Sequence, residues 1–386
     1  MKKFLLYSIS TFLLTVNIQS QDTVNVTIIV KANNLPVDYS VYVAGNDVKL
    51  GNWQPDAVKL SEIEKGKWSK RFSFIKGKKL EFKITRGSWE TEALNDDGSI
   101  PVNHKLEVVK DTVVEIEVKL WANHIKQKIE AQITGIVQHH LNMKGKGIKP
   151  RDIIVWLPPF YFLEPEKRYP VLYMHDGQNI FDPRTSAFGV DWQIDEAADS
   201  LIRKELIEDI IIVGIYNTPD RSSEYAENDT GFAYMNFIVD SLKPFIDKNY
   251  RTLPGRKYTA TAGSSLAGLI SFMLAWEHSD IFSMTACLSP ALKIRRYNFV
   301  DNVSSSTGEK KDIKIYIDNG DNQLDDSLQT GVNEMLNELK SKGFEQGRDL
   351  YFYKDINSEH SEKYWARRIW RVLIHFFGTE KGRSLL

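Results

Sequence analysis

The run Tyr258-Thr259-Ala260-Thr261-Ala262-Gly263-Ser264-Ser265-Leu266-Ala267-Gly268-Leu269 passes from β-forming residues through small ones into a helical pattern. A serine at such a strand–turn–helix junction has the setting of a nucleophile elbow, where a strained turn exposes its hydroxyl at the end of a sheet. Residues two before and two after it must be small, or strand and helix collide. With Ser265 at the centre those residues are Gly263 and Ala267; with Ser264 they would be Ala262 and the bulky Leu266. Ser265 is therefore the expected nucleophile. Ala267 replaces the usual second glycine, a change of one methyl group with Gly268 beside it.

A serine hydroxyl is a poor nucleophile at neutral pH until an imidazole accepts its proton, and a carboxylate must orient that imidazole. Where a serine sits on such an elbow, acid and histidine follow it in chain order. His360 stands in Ser358-Glu359-His360-Ser361-Glu362, after the strand-like 350–354 and before the last long helix. His375 on an apolar helix, His278 at the end of the elbow helix, the pair His139-His140 and His175 at a strand end are expected to be structural. The acid should lie in Asp318-Asn319-Gly320-Asp321-Asn322-Gln323-Leu324-Asp325-Asp326. Asp318 ends a strand, and Asp326 opens a helix whose dipole suits an acid there, which leaves Asp321 and Asp325. The oxyanion hole needs two backbone N–H groups, one from the residue after the nucleophile and one from the loop after an early strand. Leu266 supplies the first. Gln178 is expected to supply the second from His175-Asp176-Gly177-Gln178-Asn179, with Gly177 or Asn179 as neighbours that could replace it.

Apolar strands 153–157, 170–174, 210–215, 257–261 and 313–317 alternate with helical patterns at 197–204, 234–248, 269–277, 328–342 and 362–377. That alternation predicts an α/β fold with a mostly parallel sheet covered on both faces. Before it, 24–30, 40–44, 68–74, 80–85 and 113–120 read as short strands between turn signals, a small β-sandwich. The expected division is a signal peptide at 1–20, a β-sandwich module at 21–122 and an α/β domain carrying the elbow at 123–386, with 129–137 as a further opening strand. Lys2 and Lys3 precede the apolar run Phe4 to Val16, of 13 residues, short of the roughly 20 needed for a membrane span. The mature protein is expected to be exported, in the periplasm or outside the cell, without a membrane span.

In 386 residues, 50 Lys and Arg face 51 Asp and Glu. No basic excess exists to hold a nucleic acid backbone. Hydrophobic residues at 42% and charged ones at 26% exclude global disorder and a polytopic membrane protein. Cys287 is the single cysteine, so an intrachain disulfide, a CxxC pair and a cysteine zinc site are excluded. No metal or organic cofactor is expected.

From about Ile129 to Gly378 the chain resembles the enterochelin-esterase-like and S-formylglutathione-hydrolase-like esterases, which include bacterial feruloyl and acetyl-xylan esterases. The strings that carry the resemblance are Arg151-Asp152-Ile153-Ile154-Val155-Trp156-Leu157-Pro158-Pro159, Leu172-Tyr173-Met174-His175-Asp176-Gly177-Gln178-Asn179-Ile180-Phe181-Asp182, the elbow, and Glu359-His360-Ser361-Glu362 followed by Trp365. The resemblance implies an α/β-hydrolase fold, places nucleophile and base on Ser265 and His360, and tips the acid toward Asp325. Other members carry the acid where this chain has Gln323. The N-terminal region resembles a starch-binding-type carbohydrate-binding module through Val41-Tyr42-Val43-Ala44-Gly45, Leu50-Gly51-Asn52-Trp53, Glu81-Phe82-Lys83 and Trp89-Glu90. It implies a sugar platform of Trp53 and Trp89 with Lys83 and Glu90 beside it, and Asn95 after a one-residue shift. The competing expectation is that both tryptophans pack in the core or against the esterase domain.

Three functions follow from these readings. The first is a secreted serine carboxylic-ester hydrolase acting on feruloyl or acetyl esters of carbohydrate. A ferric-siderophore esterase uses the same chemistry. A non-catalytic glycan-binding protein is the third, disfavoured because all three residue types of a triad are present.

Overall fold

The computed structural model describes residues 22–32, 40–96, 101–122, 133–187, 189–294, 297–322 and 324–386. The expected signal peptide at 1–20 lies outside the described residues, as does the Glu90 side chain. The chain divides into two compact units, Met1–Gln127 and Lys128–Leu386.

In the first unit, strands Ser61–Glu64, Lys67–Ile75, Thr23–Lys31 and Thr112–Glu117 form one sheet in that order, and Tyr42–Gly45, Lys78–Thr85 and His104–Val108 form a second. Alternate residues of both face a shared apolar layer, among them Val26, Ile28, Val30, Phe72, Phe82 and Ile84. The two faces close into the expected β-sandwich.

The second unit is built on eight strands: β1 Ile136–Gly145, β2 Ile148–Leu157, β3 Val171–His175, β4 Ile211–Ile215, β5 Thr259–Ser264, β6 Met284–Leu288, β7 Lys314–Asn319 and β8 Leu350–Lys354. Their order is β1-β2-β4-β3-β5-β6-β7-β8. The pairs β1–β2 and β2–β4 are antiparallel and every pair from β4–β3 to β7–β8 is parallel. Successive residues point into two different layers. Ile153, Val155, Tyr173 and Val213 enter one, and Ile154, Trp156, Leu172 and Ile212 the other. Burial on both faces is why these strands read as unbroken apolar runs. Helices α1 Ile194–Arg203, α2 Asp229–Phe237, α3 Leu266–Glu277, α4 Leu324–Ser341, α5 Glu362–Ala366 and α6 Ile369–Phe377 complete the α/β-hydrolase fold. No helix among the described residues is long and apolar enough to cross a membrane.

Strand β6 was not expected at all, and three expected elements take a different form. The opening strand runs over Ile136–Gly145 rather than 129–137, of which 129–132 lie outside the described residues. The helix expected at 234–248 is a succession of α2, a π turn Ile238–Leu242 and a further helix Lys243–Asn249. Pro244, with no N–H to donate, sits where the register changes. The helix expected at 362–377 is broken between α5 and α6 at Arg368, whose side chain turns inward to a buried polar network.

Candidate active site

Ser265 joins β5 to α3 with φ 57° and ψ −124°, a conformation that costs a non-glycine residue on the order of 1–3 kcal/mol. Ser264 is the last residue of β5 and is buried, so the strained turn falls on Ser265. Its surroundings explain the small residues. A Cβ on Gly263 would lie 2.6 Å from the Ala267 carbonyl oxygen and 2.7 Å from the Ala267 Cβ, and one on Gly268 would lie 3.0 Å from Pro290. The Ser265 N–H donates to the Leu288 carbonyl at 3.0 Å, and its own carbonyl accepts from Ala291 at 3.0 Å. These bonds tie the elbow to the end of β6.

Because β5, β6, β7 and β8 are parallel neighbours, the segments leaving their C-terminal ends lie along one edge of the sheet, the edge where open α/β sheets bind ligands. Ser265 leaves β5, Asp325 lies in the first turn of α4 after β7, and His360 lies between β8 and α5. His360 Nδ1 and Asp325 Oδ1 are 2.6 Å apart. The ring meets Trp365 edge to face, centroids 5.0 Å apart. Asp325 is fully buried; Gly320 N–H and Ser289 Oγ each donate to its Oδ2 at 2.9 Å. A Cβ on Gly320 would come within contact of that same Oδ2, so only glycine allows this approach. Burial pushes the Asp325 carboxyl up, but the His360 ring, the Ser289 hydroxyl and the Arg368 guanidinium outweigh it and hold it below the usual carboxylate range. Asp321 points elsewhere. Its Oδ1 accepts from the Asn357 N–H at 2.7 Å and closes a loop. Among the described residues no hydrogen bond joins the Ser265 hydroxyl to His360, a contact that is often long before substrate binds.

Leu266 opens α3, so its N–H has no acceptor within the helix. Gln178 lies in the 3₁₀ turn Gly177–Asn179 directly after β3, the neighbour of β5, with Met174 opposite Ala262. Backbone crowding requires the glycine here, since a Cβ on Gly177 would sit 2.5 Å from the Gly214 carbonyl carbon. The turn is braced by partners that the sequence did not disclose. Asp176, at φ 58°, accepts from Arg221 at 2.8 and 2.6 Å and from Asn217 at 2.6 Å. Gln178 Oε1 accepts from the Asn217 N–H at 3.1 Å, and Asn179 Nδ2 donates to Glu362 at 3.3 Å. His175 is buried between the Tyr234 hydroxyl at 2.7 Å and Thr261 Oγ1 at 3.2 Å.

Asp191, Asp195 and Glu196 bring oxygens within 4.8 Å of one another. Burial and the adjacent Glu196 hold Asp195 well above the usual carboxylate range.

In the first unit Trp53 and Trp89 are half-buried, with ring centroids 6.5 Å apart and planes at 39°. Neither belongs to the buried apolar layer of the sandwich. Lys83 pairs with the buried Glu92 at 3.1 Å.

Residues 148–376 match the model of the family described as "Putative esterase", and residues 23–111 match that of the starch binding domain. The uncharacterized protein YbbA of Bacillus subtilis is 21% identical over 253 residues, covering 61% of this chain and 95% of that protein. An endo-1,4-beta-xylanase/feruloyl esterase of Xylanibacter ruminicola is 25% identical over 181 residues, 46% of this chain and 23% of that protein. Among solved structures, a ferulic acid esterase superposes with a TM-score of 0.53 at 21% identity, over 63% of this chain and 98% of its own. The enterobactin esterase of Shigella flexneri superposes with a TM-score of 0.52 at 11% identity, over 96% of both chains. Likeness at these identities speaks for the fold. The family model spans more than half of the sequence, and this chain belongs to that esterase family, carboxylic ester hydrolases, here carrying an N-terminal module of the starch-binding type.

Proposed function

We propose that the protein is an exported serine esterase in which Ser265, His360 and Asp325 form a catalytic triad that removes feruloyl or acetyl groups from carbohydrate. The observation that carries the reading is the bond from His360 to the buried Asp325 on the sheet edge that also holds the strained Ser265. His360 takes the Ser265 proton as the oxygen attacks the ester carbonyl, then returns it to the leaving alcohol; water repeats the sequence on the acyl-enzyme. Asp325 steadies the imidazolium between the two steps. The N–H groups of Leu266 and Gln178 receive the charge of the tetrahedral intermediate. The carbohydrate part of the reading draws on the starch binding domain match and on the xylanase/feruloyl esterase relative. Export draws on Lys2, Lys3 and the apolar run that follows.

A second reading is hydrolysis of a siderophore's ester linkages, favoured by the likeness to the enterobactin esterase over 96% of this chain. One substrate panel separates the two: aryl acetates, methyl ferulate, acetylated xylan and a ferric trilactone siderophore. Turnover of ferulate or xylan esters far above that of the trilactone supports the carbohydrate reading, and the opposite ranking replaces it.

A further inference from the structure

Ser289 directly follows β6 and directly precedes Pro290. It is fully buried, and its φ of 42° lies in the left-handed region that favours glycine. Such strain persists only where the surroundings over-determine it, and the hydroxyl shows what does so. A serine hydroxyl has one proton and two lone pairs, whereas an arginine guanidinium and an indole N–H only donate. Arg368 Nη2 donates to Ser289 Oγ at 2.7 Å, and Trp365 Nε1 donates at 3.1 Å. Both lone pairs are thereby filled. The single proton is left for Asp325 Oδ2, 2.9 Å away. Arg368 is itself immobilised, 2% exposed, with Asp318 at 3.0 Å, Asp355 at 3.2 Å and Ser358 at 2.8 Å.

We propose that Ser289, aimed by Arg368 and Trp365, is a positioning residue that sets the rotation of the Asp325 carboxylate and keeps it ionised, so that its other oxygen stays on His360. The inference rests on the reading of Ser265, His360 and Asp325 as a triad. Without the hydroxyl the carboxylate loses a donor to its charged form, and the His360–Asp325 pair takes up a proton more readily.

The test compares wild type, Ser289→Gly, Ser289→Thr and Asp325→Asn on an aryl acetate across pH, with rates normalised to folded protein by near-ultraviolet circular dichroism. Ser289→Gly keeps the backbone conformation and removes the hydroxyl. It is expected to lower kcat about tenfold or more at little change in KM and to move the acidic limb of kcat/KM to higher pH. Ser289→Thr keeps the hydroxyl but strains a β-branched residue at positive φ. It is expected to unfold at lower temperature while holding the acidic limb where wild type has it. Wild-type turnover and an unmoved limb in Ser289→Gly would overturn the proposal, as would equal losses in both variants with the limb unmoved, which would mean packing alone. Full turnover in Asp325→Asn would instead overturn the triad reading on which the proposal rests, a result that Ser289→Gly alone cannot produce.

Discussion

Two serines stand side by side at the elbow, and the backbone separates them. Ser264 ends a strand and is buried, while Ser265 carries the positive φ. Ser265→Ala is expected to abolish aryl-acetate hydrolysis, by several orders of magnitude, with an unchanged thermal midpoint. Ser264→Ala should retain turnover; loss in Ser264→Ala with retention in Ser265→Ala would shift the nucleophile by one residue. The two candidate acids are separated by what they touch. Asp325 meets His360 Nδ1, whereas Asp321 holds the Asn357 N–H. Asp325→Asn is expected to lower kcat roughly a thousandfold or more, because the amide no longer supports the imidazolium. Asp321→Asn should cost little turnover. The reverse ranking, read from initial rates, would assign the acid to Asp321. Spacing in the sequence left both residues open at this point, since a loop of alternating Asp and Asn residues gives no local sign of which side chain turns inward.

Elements whose signals are local were legible. β5 and α3 followed from a β-forming run meeting small residues, and β2, β3, β4, β7 and β8 coincide with runs read as strands, whereas β6 was not expected and β1 was expected too early in the chain. What escaped depends on neighbours distant in the chain. Ser289, Arg368, Asn217 and Arg221 acquire roles only once β6 lies beside β7 and the turn after β3 meets the segment after β4. Arg368 also broke a helix that its own apolar periodicity predicted as continuous. His175 at the end of β3 shows the cost of such burial. Enclosure pushes its pKa down to about 3 from the ordinary 6.5. The unfolded chain therefore binds a proton that the folded chain refuses, and the contribution to stability is present above about pH 6.5 and is lost as the pH falls toward about 3. Asp318 and Asp191, raised by burial to about 6, act in the opposite sense and lose their contribution as the pH rises through about 6. Urea unfolding of wild type against His175→Gln isolates the histidine. The stability difference between them should shrink by a few kcal/mol from neutral pH to about pH 4, and a pH-independent difference would contradict a neutral buried ring.

At the scale of the whole molecule, the chain joins a unit that closes its own α/β core to one that closes its own β core, so a change confined to one need not reach the other. Trp53 and Trp89 test whether the smaller unit binds sugar. Residues that serve only packing belong in the layer shared by the two sheets, as Trp68 and Trp121 do, whereas Trp53 and Trp89 stay outside it with adjacent rings. Trp89→Ala should therefore leave the thermal midpoint unchanged, leave aryl-acetate turnover unchanged, and remove the retardation of the full chain on soluble α-glucan or xylan. Stacking of a sugar on an aromatic face contributes on the order of 1 kcal/mol, and a site built from two rings binds weakly. Affinity electrophoresis, which reads retardation at equilibrium, detects such binding where a washed pull-down would lose it. If wild type migrates freely on every glycan, or if Trp89→Ala unfolds, the smaller unit is not a sugar anchor. The carbohydrate reading would then lose its main support over siderophore hydrolysis and keep only the likeness to the xylanase/feruloyl esterase, because the Ser265, His360 and Asp325 arrangement serves either ester equally well.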